Sequence, residues 1–183
     1  MTKSATVLSI AGSDSSGGAG IQADIKTCCA FGVYASTAIT AITAQNTNGV
    51  QRVEAMDPDL VKAQIKSVLD DIGTDVIKIG MLANGDIAKT VADIIQEDTG
   101  AGWNVIDPVL VATSGDTLFD KDALDIFRTR LVPLADVLTP NIPEAEILSG
   151  IKIDTIEDMV KAGEVLRDMG AYSVLLKGGH LDG

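Results

Sequence analysis

At 183 residues, with 46% hydrophobic and only 3% aromatic content, the chain is long enough to bury an aliphatic core without disulfides or a structural metal. Its net charge of −12 argues against nucleic-acid backbones and anionic lipid as partners, but leaves room for one nucleotide held by Mg²⁺ and a well-placed lysine. No stretch has the length and apolarity of a membrane span and no signal peptide precedes the first strand, so a cytoplasmic protein is expected.

The apolar run from Ala5 to Ala11 reads as the first strand. Ile21, Ile25, Cys28 and Cys29 follow at the i, i+4, i+7, i+8 spacing of a buried helix face, which makes the two adjacent cysteines core residues rather than reactive ones. Tyr34 to Thr43 reads as a second strand. Val61, Ile65, Val68, Leu69 and Ile72 mark the helix after Pro58. A short strand over Asp75 to Ile79 precedes a helix carrying Ile87, Val91, Ile94 and Ile95. Trp103 to Ile106 is a fourth strand, followed by a helix with Leu124, Phe127 and Leu131. Asp136 to Leu138 is a fifth, with a short helix starting near Pro143. A last helix with Ile156, Met159, Val160, Gly163 and Leu166 leads into a sixth strand, Ser173 to Leu176. Strands alternating with helices predict an α/β fold: a doubly wound, mostly parallel sheet with helices on both faces, in one domain spanning residues 1–183.

In such sheets ligands bind at the carboxyl ends of the strands. The polar and glycine clusters of this sequence fall there. Strand one runs into Gly12–Gly20 and strand two into Ala44-Gln45-Asn46-Thr47. The later strands end in Gly80-Met81, Asp107-Pro108-Val109, Thr139-Pro140-Asn141 and Lys177-Gly178-Gly179-His180. Six such ends describe the rim of one pocket better than six unrelated turns.

The first loop fails two commoner phosphate motifs. Gly12 and Gly17 have P-loop spacing, but Gly18 stands where the phosphate-binding lysine is required. Gly18-Ala19-Gly20-Ile21-Gln22-Ala23 fits the dinucleotide pattern, yet no acid lies between Asp24 and Glu54 to hold a ribose. A Ser-His-acid hydrolase would depend on His180, the one histidine, and no G-x-S-x-G elbow accompanies it. Glycine alone also suits a plain strand-to-helix turn; Asp24 and the loop hydroxyls favour one that faces a ligand. Gln45 offers a donor beside an acceptor, matching an aminopyrimidine edge and equally able to satisfy turn backbone. Asn141 and Glu144, three apart at a helix start, suit either a water-held Mg²⁺ or an ordinary helix cap. Lys177, between a buried strand and two glycines, is better explained by a phosphate than by a solvated surface.

The run from Ile10 to Asp24 resembles the opening signature of the hydroxymethylpyrimidine/phosphomethylpyrimidine kinases, of ribokinase-like fold. The motifs at Ala44–Thr47, Lys78–Leu82, Asp107–Val109, Thr139–Asn141 and Lys177–His180 are similar to that family's in the same order. The resemblance implies ATP-dependent phosphorylation of 4-amino-5-hydroxymethyl-2-methylpyrimidine and then of its monophosphate, in thiamine biosynthesis. It implies a pyrimidine pocket lined by Gly12, Asp24, Gln45, Met81 and Val109. Asn141, Glu144 and Lys177 would serve ATP and Mg²⁺, with Glu144 reaching the metal through water and Asp107 near the phosphates. The family continues into a Gly-Thr-Gly-Cys turn that supplies an anion hole and the proposed base. No such segment occurs in these residues. The expectation is therefore a kinase domain lacking its C-terminal part, with the catalytic groups beyond Gly183 and no kinase activity of its own. A pyridoxine or pyridoxal kinase of the same fold and a non-catalytic, truncated binding protein are the competing expectations. Family members are often dimers, so a homodimer is also anticipated.

Overall fold

Strand β1 (Thr6–Asp14) occupies the middle of a seven-stranded sheet in the computed structural model, which describes residues 4–97, 102–110 and 121–179. β2 (Tyr34–Asn46) and β4 (Val76–Ile79) flank it in parallel, and β5 (Trp103–Ile106), β6 (Val137–Leu138) and β7 (Ser173–Val174) extend the parallel order outward. β3 (Gly49–Ala55) closes the other edge antiparallel to β2, giving the order β3-β2-β1-β4-β5-β6-β7. The sheet is thus mostly parallel and one strand larger than the sequence predicts. β3 escapes a search for buried runs because Gly49 alone is not exposed along it.

Alternation along the strands separates two faces. Leu8, Ile10, Ile77 and Ile79 are fully buried and join Val61 and Ile65 of α2 (Pro58–Leu69) in the main core. Ile87, Val91, Ile94 and Ile95 of α3 (Gly85–Glu97) complete that layer, as their spacing predicts. α4 (Lys121–Ile126) packs on α3 and runs on through a π-helical turn, where the rings and side chains of Phe127 and Leu131 are buried. Ser9 and Lys78 alternate with the apolar set, and both reach Asp24 on α1 (Gly20–Ala30), which places α1 on the opposite face.

Two predicted helix faces are not buried. On α1 only Ile21 is buried, Ile25 and Cys29 are exposed and Cys28 is half-buried, so the cysteines are not core residues. Periodicity places them on one side of the helix, but beyond the first turn that side is exposed at Ile25 and Cys29 and only partly covered at Cys28. On α6 (Ile156–Asp168), Leu166 and Ala162 are buried, whereas Ile156, Met159, Val160 and Gly163 line an open groove with Val174 and Leu176. α6 packs on α5 (Ile142–Ser149) and β7. Among the described residues no helix is long and apolar enough to cross a membrane.

Candidate active site

The carboxyl ends of β1, β2, β4 and β5 open into one cleft of about 230 Å³. Its walls include Gly12 and Gly20, Gln45, Lys78, Met81, Asp107 and Val109. Thr43 of β2 and Val50 and Val53 of β3 also contribute, so the unpredicted strand supplies an apolar wall. The Asn48-Gly49 dipeptide, the last residue of the turn and the first of β3, was the available signal, since that pair favours a tight hairpin.

The loop between β1 and α1 is built around Asp14. Its carboxylate accepts the Ser16 hydroxyl at 2.8 Å and the N–H groups of Ser16, Gly18 and Ala19 at 2.8, 3.0 and 2.8 Å. Burial pushes the Asp14 carboxyl up, but the Ser16 hydroxyl and these three N–H groups outweigh it and hold it below the usual carboxylate range. The Gln22 amide accepts the Asp14 N–H at 2.8 Å and donates to the Ser13 hydroxyl at 2.8 Å, clamping the loop from α1. Gly20 needs no side chain at all: its φ is +56°, and a Cβ would stand 2.3 Å from the Gly12 carbonyl oxygen.

Gln45 sits at a register shift between β2 and β3. The Ser15 hydroxyl donates to its carbonyl at 2.7 Å and accepts its N–H at 2.8 Å, bolting the glycine loop to this point. The Gln45 amide oxygen takes a longer bond from Thr43 Oγ1, 3.3 Å, and the residue lines the cleft. Asp24 stands behind the wall rather than on it. Its Oδ2 accepts Ser9 Oγ at 2.6 Å and Lys78 Nζ at 2.9 Å, and Lys78 is the member of the group that lines the cleft.

The residues expected to serve ATP gather at the neighbouring strand ends. Lys177 pairs as an isolated bridge with Asn141, and its ammonium lies 2.7 Å from Asp107 Oδ1. Thr139 Oγ1 donates to the same oxygen at 2.9 Å. Asn141 caps α5 in a reciprocal box: its side chain accepts the Glu144 N–H, and the Glu144 carboxylate accepts the Asn141 N–H, both at 2.9 Å. Glu144 is buried, and burial pushes its carboxyl up. The Asn141 N–H and the Lys177 ammonium pull it back in part, Asp107 opposes them, and the net direction is upward. Glu144 is thus both a helix-capping residue and an acid beside the cluster. Asp107 belongs to the cluster and to the cleft, so it joins the two halves of the site. No group of three or more acidic, histidine or cysteine side chains suited to a metal occurs among the described residues. The donor set Asp107 and Glu144 fits a hard cation that keeps most of its water. His180 lies outside the described residues.

A doubly wound α/β domain with a cleft and an adjoining cationic cluster along one line of strand ends defines a small-molecule-binding protein of the ribokinase-like kind. Residues 14–183 match the family described as phosphomethylpyrimidine kinase, and the chain belongs to that family. It is 48% identical over 176 residues to the chloroplastic thiamine biosynthetic bifunctional enzyme of Arabidopsis thaliana, covering 96% of this chain and 34% of that one. It is 47% identical over 181 residues to the hydroxymethylpyrimidine/phosphomethylpyrimidine kinase of Escherichia coli K12, covering 98% and 68%. The crystal structure of phosphomethylpyrimidine kinase from Clostridium difficile 630 superposes with a TM-score of 0.91 at 46% identity, over 98% of this chain and 77% of that chain. The chain therefore spans about a third of its bifunctional relatives and about two thirds of the single-function kinases.

Proposed function

We propose that this protein takes part in ATP-dependent phosphorylation of 4-amino-5-hydroxymethyl-2-methylpyrimidine and of its monophosphate, in thiamine biosynthesis. The observation that carries the reading is the pairing of the two half-sites through Asp107: a small, partly apolar cleft on one side and the Lys177 cluster on the other. Gln45 presents an amide to the cleft, suited to the amine and ring nitrogen of an aminopyrimidine, with Met81 and Val109 against the ring faces. Asp24 supports this wall from behind through Lys78.

Lys177 is the cation for nucleotide phosphates, and Asn141 holds the helix start beside it. Asp107 and Glu144 would hold Mg²⁺, Glu144 through water, and that ion would neutralise charge on the phosphates. The protein's own part is positioning: it fixes the acceptor in the cleft and keeps Lys177 facing the nucleotide. The reading carries one ribokinase-like domain over residues 1–183, a cytoplasmic location, a homodimer, and no nucleic-acid or membrane partner. The charge of −12 supports the exclusion of nucleic acid.

Pyridoxal is the rival acceptor, since the chain is also 39% identical, with a TM-score of 0.88, to a Bacillus subtilis pyridoxal kinase solved with ADP. Calorimetric titration with the pyrimidine alcohol, pyridoxal and ATP, followed by an assay of phosphoryl transfer to each alcohol, decides between them. Tighter binding of the pyrimidine supports the reading; preference for pyridoxal, or binding of neither, overturns it.

A further inference from the structure

Lys78 is the one cation on the cleft wall among the described residues, and the kinase reading gives it no task. It lies in the middle of β4, where Val76, Ile77 and Ile79 are apolar. A lysine in an interior strand must either escape to water or meet a fixed partner. Its side chain is only 26% exposed. The ammonium is held 2.9 Å from Asp24 Oδ2, an oxygen that also accepts Ser9 Oγ at 2.6 Å. Ser9 is buried and lies directly across the β1–β4 ladder from Lys78.

The strand end is shaped for this head group. A Cβ at Gly80 would stand 3.0 Å from Lys78 Nζ and 3.1 Å from the Ala11 Cβ, so a larger residue there would press on the ammonium and require it to shift by a few tenths of an ångström. The other charged groups on the wall are carboxylates, Asp14 and Asp107. Lys177 is engaged by Asp107, and Lys26 spends its ammonium on the Gly17 carbonyl at 2.6 Å, on the exposed side of the loop. The second substrate of the proposed reaction brings about −1.5 to −2 charges into this cleft. With two carboxylates on its wall and a strongly acidic protein around it, the cleft repels that anion unless a cation answers it.

We infer that Lys78 is a specificity-determining residue for the phosphorylated acceptor, parked on Asp24 when the neutral alcohol is bound and shared with the phosphate when the monophosphate is bound. The inference rests on the pyrimidine reading above. Asp24 is the counter-ion that makes the partly buried lysine tolerable when the bound acceptor is the neutral alcohol. One partner accounts for one of its three N–H donors, leaving two to turn toward an anion without breaking the pair. A charge-assisted bond to phosphate from a partly buried lysine is the strong kind.

The test is the ratio of two dissociation constants, for the alcohol and for its monophosphate, measured by calorimetry on the full chain. The ratio cancels losses common to both ligands. Lys78→Gln should weaken the monophosphate about tenfold more than the alcohol, and Lys78→Arg should restore most of the difference. Asp24→Asn should shift the ratio the other way, toward the monophosphate, because it releases the ammonium. Melting curves identify a variant that fails to fold, and the Arg and Asn variants then carry the test. Equal losses for both ligands, or none, would overturn the Lys78 assignment and leave it a prop for Asp24. Wild-type protein that binds neither compound would overturn the substrate reading itself, and the assignment with it.

Discussion

The Lys177 ammonium lies 2.7 Å from Asp107 Oδ1, tying the chain after β7 to the end of β5 across the intervening β6. Asp107 belongs to both halves of the proposed site, whereas Lys177 belongs to the nucleotide half and reports on that half alone. Lys177→Ala removes a charge-assisted contact to nucleotide phosphates, worth roughly 1.5–3 kcal/mol. ATP affinity should fall about tenfold or more, while the pyrimidine affinity stays within about twofold. Calorimetry with each ligand alone checks this; loss of pyrimidine binding in the same variant would mean that Lys177 holds the cleft together instead.

Gln45→Ala should act on the opposite half. Deleting an amide that pairs with a buried ligand edge costs about 1–3 kcal/mol. The pyrimidine should bind about tenfold more weakly and ATP about as before. The backbone of Gln45 is already fixed by the Ser15 hydroxyl, so the fold should not change. Unaltered pyrimidine affinity would assign the Gln45 amide to the hairpin rather than to the ligand.

How much of this was legible in the sequence depends on what each signal measures. Strand ends carrying Gln45, Asp107, Asn141 and Lys177 could be placed along one rim because alternation of element types makes the strands parallel, so their carboxyl ends share one edge of the sheet. Helical spacing on α1 and α6 told which residues share a side, but not whether anything lies over that side. Cys29 and Val160 are exposed for that reason. β3 was hidden because Val50 and Val53 are three residues apart and both exposed, so no two-residue period marks a buried face. Lys78 was visible only as a letter in a motif. Its pairing with Asp24, 54 residues away, depends on a helix crossing over the sheet, which no local pattern reports.

Glu144 offers a pH test with a definite sign. Its carboxyl is raised by burial, so the folded state penalises the charged form. The stability this group contributes is present below its unfolded value, about 4.3, and is lost as pH rises through the folded value. Glu144→Gln keeps an oxygen for the Asn141 N–H but cannot ionise. Melting temperatures of the two proteins should be close at pH 4, with the variant equal or higher at pH 7, while Mg²⁺-dependent turnover of the kinase is lower. Glu144→Ala keeps the Asn141 cap but leaves the Asn141 N–H without its carboxylate acceptor, and should cost about 1 kcal/mol at both pH values. A Glu144→Gln variant that melts well below wild type at pH 7 would contradict the burial argument.

Asp14 should behave in the opposite way. Its carboxyl is lowered, so its contribution is present above the unfolded value, about 3.9, and is lost as pH falls through the folded value. Asp14→Asn should therefore be less stable than wild type at pH 7, and the gap should close as both are taken toward pH 2. Asp14→Ala leaves the N–H groups of Ser16, Gly18 and Ala19 without their acceptor, a loss on the order of 2 kcal/mol or more. Denaturant midpoints across that pH range check the sign, and a gap that widens in acid would refute it.

Gly20 and Gly32 allow backbone strain to be separated from the shape of the site. Both have positive φ, +56° and +69°, so an alanine at either costs about 1–2 kcal/mol from conformation alone. At Gly32 a Cβ meets nothing within 4 Å; at Gly20 it meets the Gly12 carbonyl oxygen at 2.3 Å and the Asp14 nitrogen at 3.3 Å. Backbone atoms cannot swing aside as a flexible side chain can, so Gly20→Ala must displace the loop that carries Gly12 and Asp14. Gly12, Asp14 and Gly20 all line the cleft. Gly32→Ala should lower the melting temperature by a few degrees and leave pyrimidine affinity intact. Gly20→Ala should lower it further and abolish measurable pyrimidine binding at temperatures where the protein is still folded. Equal melting shifts with ligand binding preserved in both would show that the loop has room to move and that its close approach to Gly12 does not shape the cleft.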